Sequence, residues 1–181
     1  MKANAGKVNA AHAGVGSITH TTCLLLHSLL GVQPTFVPFN GAAPAMNALL
    51  GGQVDYICNA IPDAVQHVQS GTAKGYAIST AERSPTLPTV PTSKEAGLPE
   101  FDASAWNALF APKGTPKTVL DKLTYALDKA LDDESVRKRL LDLGCDIPTK
   151  SKRGPQPLAA LVTSDIARWT PIIKEARIKA D

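Results

Sequence analysis

Three times in its first seventy residues the chain passes from a short β-prone stretch through a tight turn into a helix-forming stretch, and no other feature restricts the fold as strongly. Val8 to His12 reads as a strand and Gly14-Val15-Gly16 as a turn. Ser17 is placed to cap a helix reaching about Leu30, with Gly31 as its stop. Thr35 to Phe39 is again strand-like, Asn40-Gly41 turns the chain, and Pro44 at a first helical position opens a helix to Leu50. Val54 to Cys58 then leads into Pro62 and Asp63, which open a helix to Gln69, and Ala73 to Ser79 supplies a fourth strand. Strands alternating with helices imply right-handed crossovers and a mainly parallel sheet, so every strand-to-helix junction falls on one edge. Open α/β sheets bind ligands at that edge.

Beyond this region the pattern changes. From Glu82 to Pro99, Pro85, Pro88, Pro91 and Pro99 mark an irregular surface connection, and Ser104 to Pro112 is an extended stretch suited to leaving the first lobe. Thr115-Pro116 starts a helix reaching about Leu131, and Asp132 or Asp133 caps another that ends at Gly144. Cys145 to Pro148 is a short strand candidate. A last helix is expected from Pro155 to about Arg177, bent or restarted at Pro171. The organisation implied is an α/β lobe with its proline-rich connection over 1–103, followed by a hinge strand and a helical part over 104–181.

Composition removes several function classes. Aromatic residues make up 5% of the chain, too few for stacking bases or sugars on ring faces, and the 19 basic and 16 acidic residues leave a net charge of only +3. Arg137-Lys138-Arg139 falls on helical spacing as a solvated face, so nucleic acid is not an expected partner. Cys23, Cys58 and Cys145 show no metal or redox spacing and read as buried free thiols. His12, His27 and His67 lack metal spacing, so neither a metal nor another cofactor is expected. The start of the chain lacks the apolar segment of a signal peptide.

The chemistry lies at the three junctions Gly14-Val15-Gly16-Ser17, Asn40-Gly41-Ala42-Ala43 and Asn59-Ala60-Ile61-Pro62. Each brings a helix N-terminus, with unpaired N–H groups and partial positive charge, to the ligand edge, and none contains a basic residue. A small planar carboxylate suits such a site better than a polyphosphate, and dinucleotide or P-loop glycine spacing is absent. His20 reads as a hydrogen-bonding wall residue, with a satisfied core histidine as the close alternative. Ser17 has no orienting carboxylate with which to act as a nucleophile, and Cys58 has no evident base, so the chain is not expected to be an enzyme.

The order and spacing of Gly14-x-Gly16-Ser17-x-x-His20, Val37-Pro38-Phe39-Asn40-Gly41 with Pro44-Ala45, and Leu50-x-Gly52-Gln53-Val54-Asp55 resemble the substrate-binding proteins of tripartite tricarboxylate transporters, the Bordetella uptake gene (Bug) family. Arg83-Ser84-Pro85-x-Leu87-Pro88-x-Val90-Pro91-Thr92, Glu95-Ala96-Gly97-Leu98-Pro99, and Ser104-x-Trp106 leading to Phe110-Ala111-Pro112-x-Gly114-Thr115-Pro116 extend the resemblance over essentially the whole chain. It implies a two-lobed periplasmic binding protein of type II. Such a protein would capture a small carboxylate, amino acid or aromatic acid and present it to the transporter's membrane components. It also implies a cleft lined by Gly14, Val15, Gly16, Ser17, His20, Asn40, Gly41, Ala43, Asn59 and Ala60.

Two side chains depart from the family pattern: Asn40 replaces a usual Lys or Arg, and Asn59 a usual Asp. The family's N-terminal part, including one wall of its cleft, has no counterpart in this sequence. One complete lobe and the helices of an incomplete second lobe are therefore expected, with a homodimer or larger assembly covering exposed apolar helix faces. The alternative is a degenerate relative acting as an oligomeric interaction module. The resemblance places the protein in the periplasm, while the sequence as a native start would place it in the cytoplasm.

Overall fold

The computed structural model describes Asn4 and residues 6–175, so the expected helix end at Arg177 and most of the first five residues lie outside the described residues. The described chain forms two compact units, one over Met1–Ala105 with Pro171–Asp181 and the other over Trp106–Thr170.

In the first unit, β1 (Asn9–His12) is the middle strand of a three-stranded sheet, with β2 (Thr35–Pro38) and β3 (Tyr56–Ile57) on either side. Both pairings are parallel, Asn9 facing Thr35 and Ala10 facing Tyr56. Alternation along the strands then fixes what each face carries. Ala11, Val37 and Ile57 point to one face and pack with Ala45, Ala48 and Val54. The two alanines belong to α2 (Ala42–Leu50), whose small side chains let it lie close against the sheet. Pro44 is the third residue of this helix, not its first, because the Gly41 cap turns the chain earlier than expected.

The other face carries His12, Phe36 and Tyr56, and against it lies α1 (Ile18–Leu30). Residues His20, Cys23 and His27 of α1 recur at helical spacing and are all buried. Ser17 and Gly31 cap α1 as the sequence indicates; Gly31 takes φ 65°, a left-handed conformation that a glycine adopts without Cβ strain.

Cys23 and Cys58 form a disulfide, which corrects the expectation of free thiols. Their spacing of 35 residues gives no hint of pairing, but α1 folds back over β3 and brings the two Cα atoms within 5.4 Å. Cys145 is free.

The fourth strand does not form: Ala73 to Ser79 contributes only an isolated parallel bridge between Ile78 and Thr92. Its partner segment is interrupted by Pro85, Pro88 and Pro91, which lack the N–H groups that a ladder needs. The proline-rich connection is nevertheless anchored. Leu87 and Val90 are buried with Ile78 and with Val65 of α3 (Ile61–Gln69). Arg83 also donates to Glu95 at 2.9 Å, and Glu95 accepts from the Thr92 amide at 2.7 Å. The arginine bond, followed by that amide bond, holds the Glu95 carboxyl down at about 2.

The second unit contains α4 (Lys117–Asp132), α5 (Glu134–Asp142) and most of α6 (Pro155–Glu175), which passes through Pro171 without restarting. Asp133 caps α5, its Oδ1 accepting from the Ser135 and Val136 amides. The expected strand at Cys145 to Pro148 is irregular. Arg153 reaches Asp128 at 2.9 Å and Asp132 at 2.8 Å, and Lys150 reaches Asp132 at 3.0 Å, so both cations are paired within the unit. Trp106 Nε1 donates to Asp165 at 2.5 Å.

Replacing Cys23 and Cys58 together by serine should lower stability by roughly 3–4 kcal/mol, the loop-closure entropy for this spacing. Urea denaturation of the oxidised protein and the double variant measures it. A loss below about 1 kcal/mol would contradict a closed disulfide of this span.

Candidate functional site

The parallel register sets the three loops side by side. Continued one or two residues past the strands, it brings Ala13 level with Asn59 and Gly14 level with Asn40, so the β1–α1 loop lies between the other two. At a strand spacing of about 4.8 Å the row spans about 10 Å, the size of a small dicarboxylate. The first two loops touch, since a Cβ built on Gly14 would lie 3.9 Å from the Phe39 carbonyl oxygen. Asp55 is at the opposite edge, where it accepts from the Asn9 amide at 2.7 Å.

Within the central loop most amides are already committed. The Ala13 amide donates to Thr19 Oγ1 at 2.8 Å, Gly14 to His12 Nδ1 at 3.2 Å, Gly16 to His20 Nδ1 at 3.1 Å, and Ser17 to the Gly14 carbonyl at 3.2 Å. Ser17 Oγ donates to that same carbonyl at 2.7 Å and accepts from the His20 amide, so it is a cap and a brace. The Val15 amide has no partner among the described residues, and its side chain is exposed. The Ile18 and Thr19 amides, in the first turn of α1, have no intrahelical acceptor.

In the flanking loops the donors are fewer. Gly41 caps α2 at φ 117°, ψ 170°, a conformation essentially confined to glycine. The following Ala42 and Ala43 amides open the helix, while Pro44 has none to offer. Ala43 lines a shallow depression of about 150 Å³ with Ala42, Met46, Asn47, Asp63 and His67. Ala60 caps α3 and Pro62 sits in its first turn, which leaves Ile61 as an open amide there. Asn59 Oδ1 accepts from the Ala60 amide at 3.0 Å, which fixes the orientation of the side-chain amide; Asn59 Nδ2 is then buried without a hydrogen-bond partner.

His20 is thus buried beneath the loop and not on its open wall, and the sequence reading missed the residue stacked on it, His12. Their rings lie 4.2 Å apart at 16°, with Phe36 edge-on to both. His27 packs against Phe36 and accepts or donates a 2.5 Å bond to the Tyr56 hydroxyl. The signal for His12 was its position two residues after Ala10 on one face of β1, opposite the face that carries Ala11. Burial, then the neighbouring His12, lowers the His20 pKa; burial, then His20, brings that of His27 to about 4. Burial, then Asp55, raises that of Tyr56. Among the described residues no group of three or more His, Cys, Asp and Glu is placed to hold a metal ion.

A parallel sheet whose middle strand feeds a glycine turn, flanked by two asparagine-bearing turns, presents the edge at which open α/β sheets bind ligands. Residues 1–178 match the model of the tripartite tricarboxylate transporter family receptor, TctC, and the chain belongs to that family. A solved structure of MatC (Rpa3494) from Rhodopseudomonas palustris with bound malate is 48% identical, with a TM-score of 0.90 over 95% of this chain and 58% of that one. The periplasmic binding protein BugD is 38% identical with a TM-score of 0.90, covering 99% of this chain and 60% of that one. R. palustris Rpa4515 with adipate is 28% identical with a TM-score of 0.85, covering 96% and 57%. The chain spans about half the length of most of the curated relatives it matches. One is the UPF0065 protein in the TAR-I ttuE-ttuC' intergenic region of Agrobacterium vitis, 36% identical over 97% of this chain and 51% of that protein.

A pH dependence of stability follows from the buried imidazoles. With His27 near 4 in the folded chain and about 6.5 when unfolded, the unfolded state binds more protons between those values. The contribution is complete above about pH 6.5 and is lost as pH falls toward 4. Melting temperatures of the wild type should decline across that window, and a His27→Leu variant should decline less. Equal slopes for both proteins would contradict the burial of a neutral His27.

Proposed function

We propose that this chain carries the carboxylate-binding lobe of a solute-binding protein, and that it holds its ligand with backbone and asparagine N–H groups and no basic side chain. The observation that carries the reading is Asn59. Among the described residues, its Nδ2 is the one buried side-chain nitrogen or oxygen without a hydrogen-bond partner. A buried orphan donor costs about 1–3 kcal/mol, and a carboxylate oxygen seated there would remove that penalty. The open amides of Val15, Ile18, Ala42, Ala43 and Ile61 lie along the same edge and supply the positive end of three helix dipoles. Malate and adipate, named with two similar structures, are both small dicarboxylates, and the row of loops suits a ligand of that size.

The residue list expected for the cleft divides accordingly. Val15, Ala43 and Asn59 offer groups to a ligand. Gly14, Gly16, Ser17, His20 and Ala60 shape the loops, and Gly41 caps α2 beside Asn40. Delivery to the membrane components of a tripartite tricarboxylate transporter follows the family's description as receptors. The Cys23–Cys58 disulfide suits an oxidising compartment such as the periplasm. A second reading, an oligomeric module built from copies of this chain, draws on Val119, Leu120, Leu123 and Leu127, which α4 leaves exposed.

Calorimetry with malate tests the first reading. Asn59→Asp keeps the acceptor for the Ala60 amide, removes the orphan donor and adds a negative charge. It should weaken malate binding at least tenfold, about 1.4 kcal/mol, in protein whose folding is checked by circular dichroism. Undiminished affinity in this variant would contradict the assigned role of Asn59. No heat with malate, adipate or other small acids, together with self-association in light scattering, would favour the second reading.

A further inference from the structure

The central loop owes its shape to two imidazoles that nothing in the family description assigns. Each Nδ1 accepts from a loop amide, Gly14 to His12 at 3.2 Å and Gly16 to His20 at 3.1 Å. An imidazole nitrogen that accepts an N–H bond carries no proton, so both rings are held as the neutral Nε2–H form. The rings stack at 4.2 Å and are buried, with 3% and 7% of their surface exposed, so the two anchors move together. Between the two tethered glycines stands Val15, whose amide has no partner among the described residues.

We propose that His12 and His20 are positioning residues for ligand capture: as a stacked pair they pull the Gly14 and Gly16 amides inward, leave the Val15 amide to the ligand, and release the loop when His20 is protonated at Nδ1. This rests on the carboxylate reading above and deepens it. Protonation converts Nδ1 from acceptor to donor, so it would face the glycine N–H donor to donor, and the loop must then let go. A cation beneath the loop would also attract an anionic ligand, and this opposes the first effect. The direction of the pH dependence therefore tells which one governs.

The groups around the pair come from every strand of the sheet and from α1. His27 stands beyond Phe36 on α1, Phe36 comes from β2, and Tyr56 with Asp55 behind it from the β3 side. Among the described residues no carboxylate or basic side chain is hydrogen-bonded to either imidazole, so neither ring has a partner that would stabilise its charged form. Burial and mutual repulsion both act to keep His20 neutral.

The test is malate calorimetry at pH 7.5 and pH 5.5 on the wild type, His20→Asn and His20→Leu, with folding checked by circular dichroism. Asparagine offers an acceptor near the Nδ1 position and does not titrate; leucine offers none. Wild-type affinity should be lower at pH 5.5 than at pH 7.5. His20→Asn should bind within about threefold of wild type at pH 7.5 with a smaller pH dependence, any remainder being the ligand's own titration. Folded His20→Leu should lose at least tenfold at pH 7.5. Equal affinity in folded His20→Leu, or wild-type affinity that rises at pH 5.5, would overturn the proposal. If malate does not bind the wild type at all, the carboxylate reading fails, and the imidazole lock is judged by nitrogen-15 NMR. Nε2–H tautomers for His12 and His20, with Gly14 and Gly16 amides exchanging more slowly than Val15, support the lock; an Nδ1–H tautomer at either ring overturns it.

Discussion

The parallel pairing of β1 with β2 on one side and β3 on the other governs the rest of the first unit. Because both neighbours run in the same direction as β1, all three strands end at one edge and deliver three helix N-termini there. The same register sorts the side chains. Ala11, Val37 and Ile57 meet the alanines of α2, while His12, Phe36 and Tyr56 meet His20, Cys23 and His27 of α1. A slip of one residue would put histidines against the alanine helix and destroy the pairing of Cys23 with Cys58.

The ligand edge is consequently a neutral one. Ionic ligands are usually met by Arg or Lys, but the three junctions carry neither, and the first turn of α3 carries Asp63. On the proposed reading, attraction comes from oriented N–H groups, whose cost of orientation is met during folding by the glycine turns and the imidazole acceptors. On the same proposal, the histidines beneath α1 exchange apolar packing for control over where the loop amides point.

Much of this was legible in the sequence. The three strand–turn–helix units, the Ser17 and Gly31 caps and the family resemblance were carried by local chemistry, which a linear reading captures. Contacts between distant segments were not. The Cys23–Cys58 disulfide, the His12–His20 stack and the anchoring of Leu87 and Val90 depend on how elements fold back on one another. The fourth strand failed for a tertiary reason as well, since a strand-prone segment needs a partner with free N–H groups, and Pro85 to Pro91 does not provide them. At the three junctions, the sequence marked the turns themselves but not the division within the first of them, where the Gly14, Gly16 and Ser17 amides turn inward and Val15 does not.

The central claim is that a carboxylate is held by uncharged donors at the edge where β1, β2 and β3 end. A crystal structure of the protein grown with malate tests it most directly. The account predicts a carboxylate oxygen within about 3.2 Å of both Asn59 Nδ2 and the Val15 amide, with no Lys or Arg side chain in contact. Malate seated elsewhere, or bound through a basic side chain while Asn59 Nδ2 stays unpartnered, would contradict it.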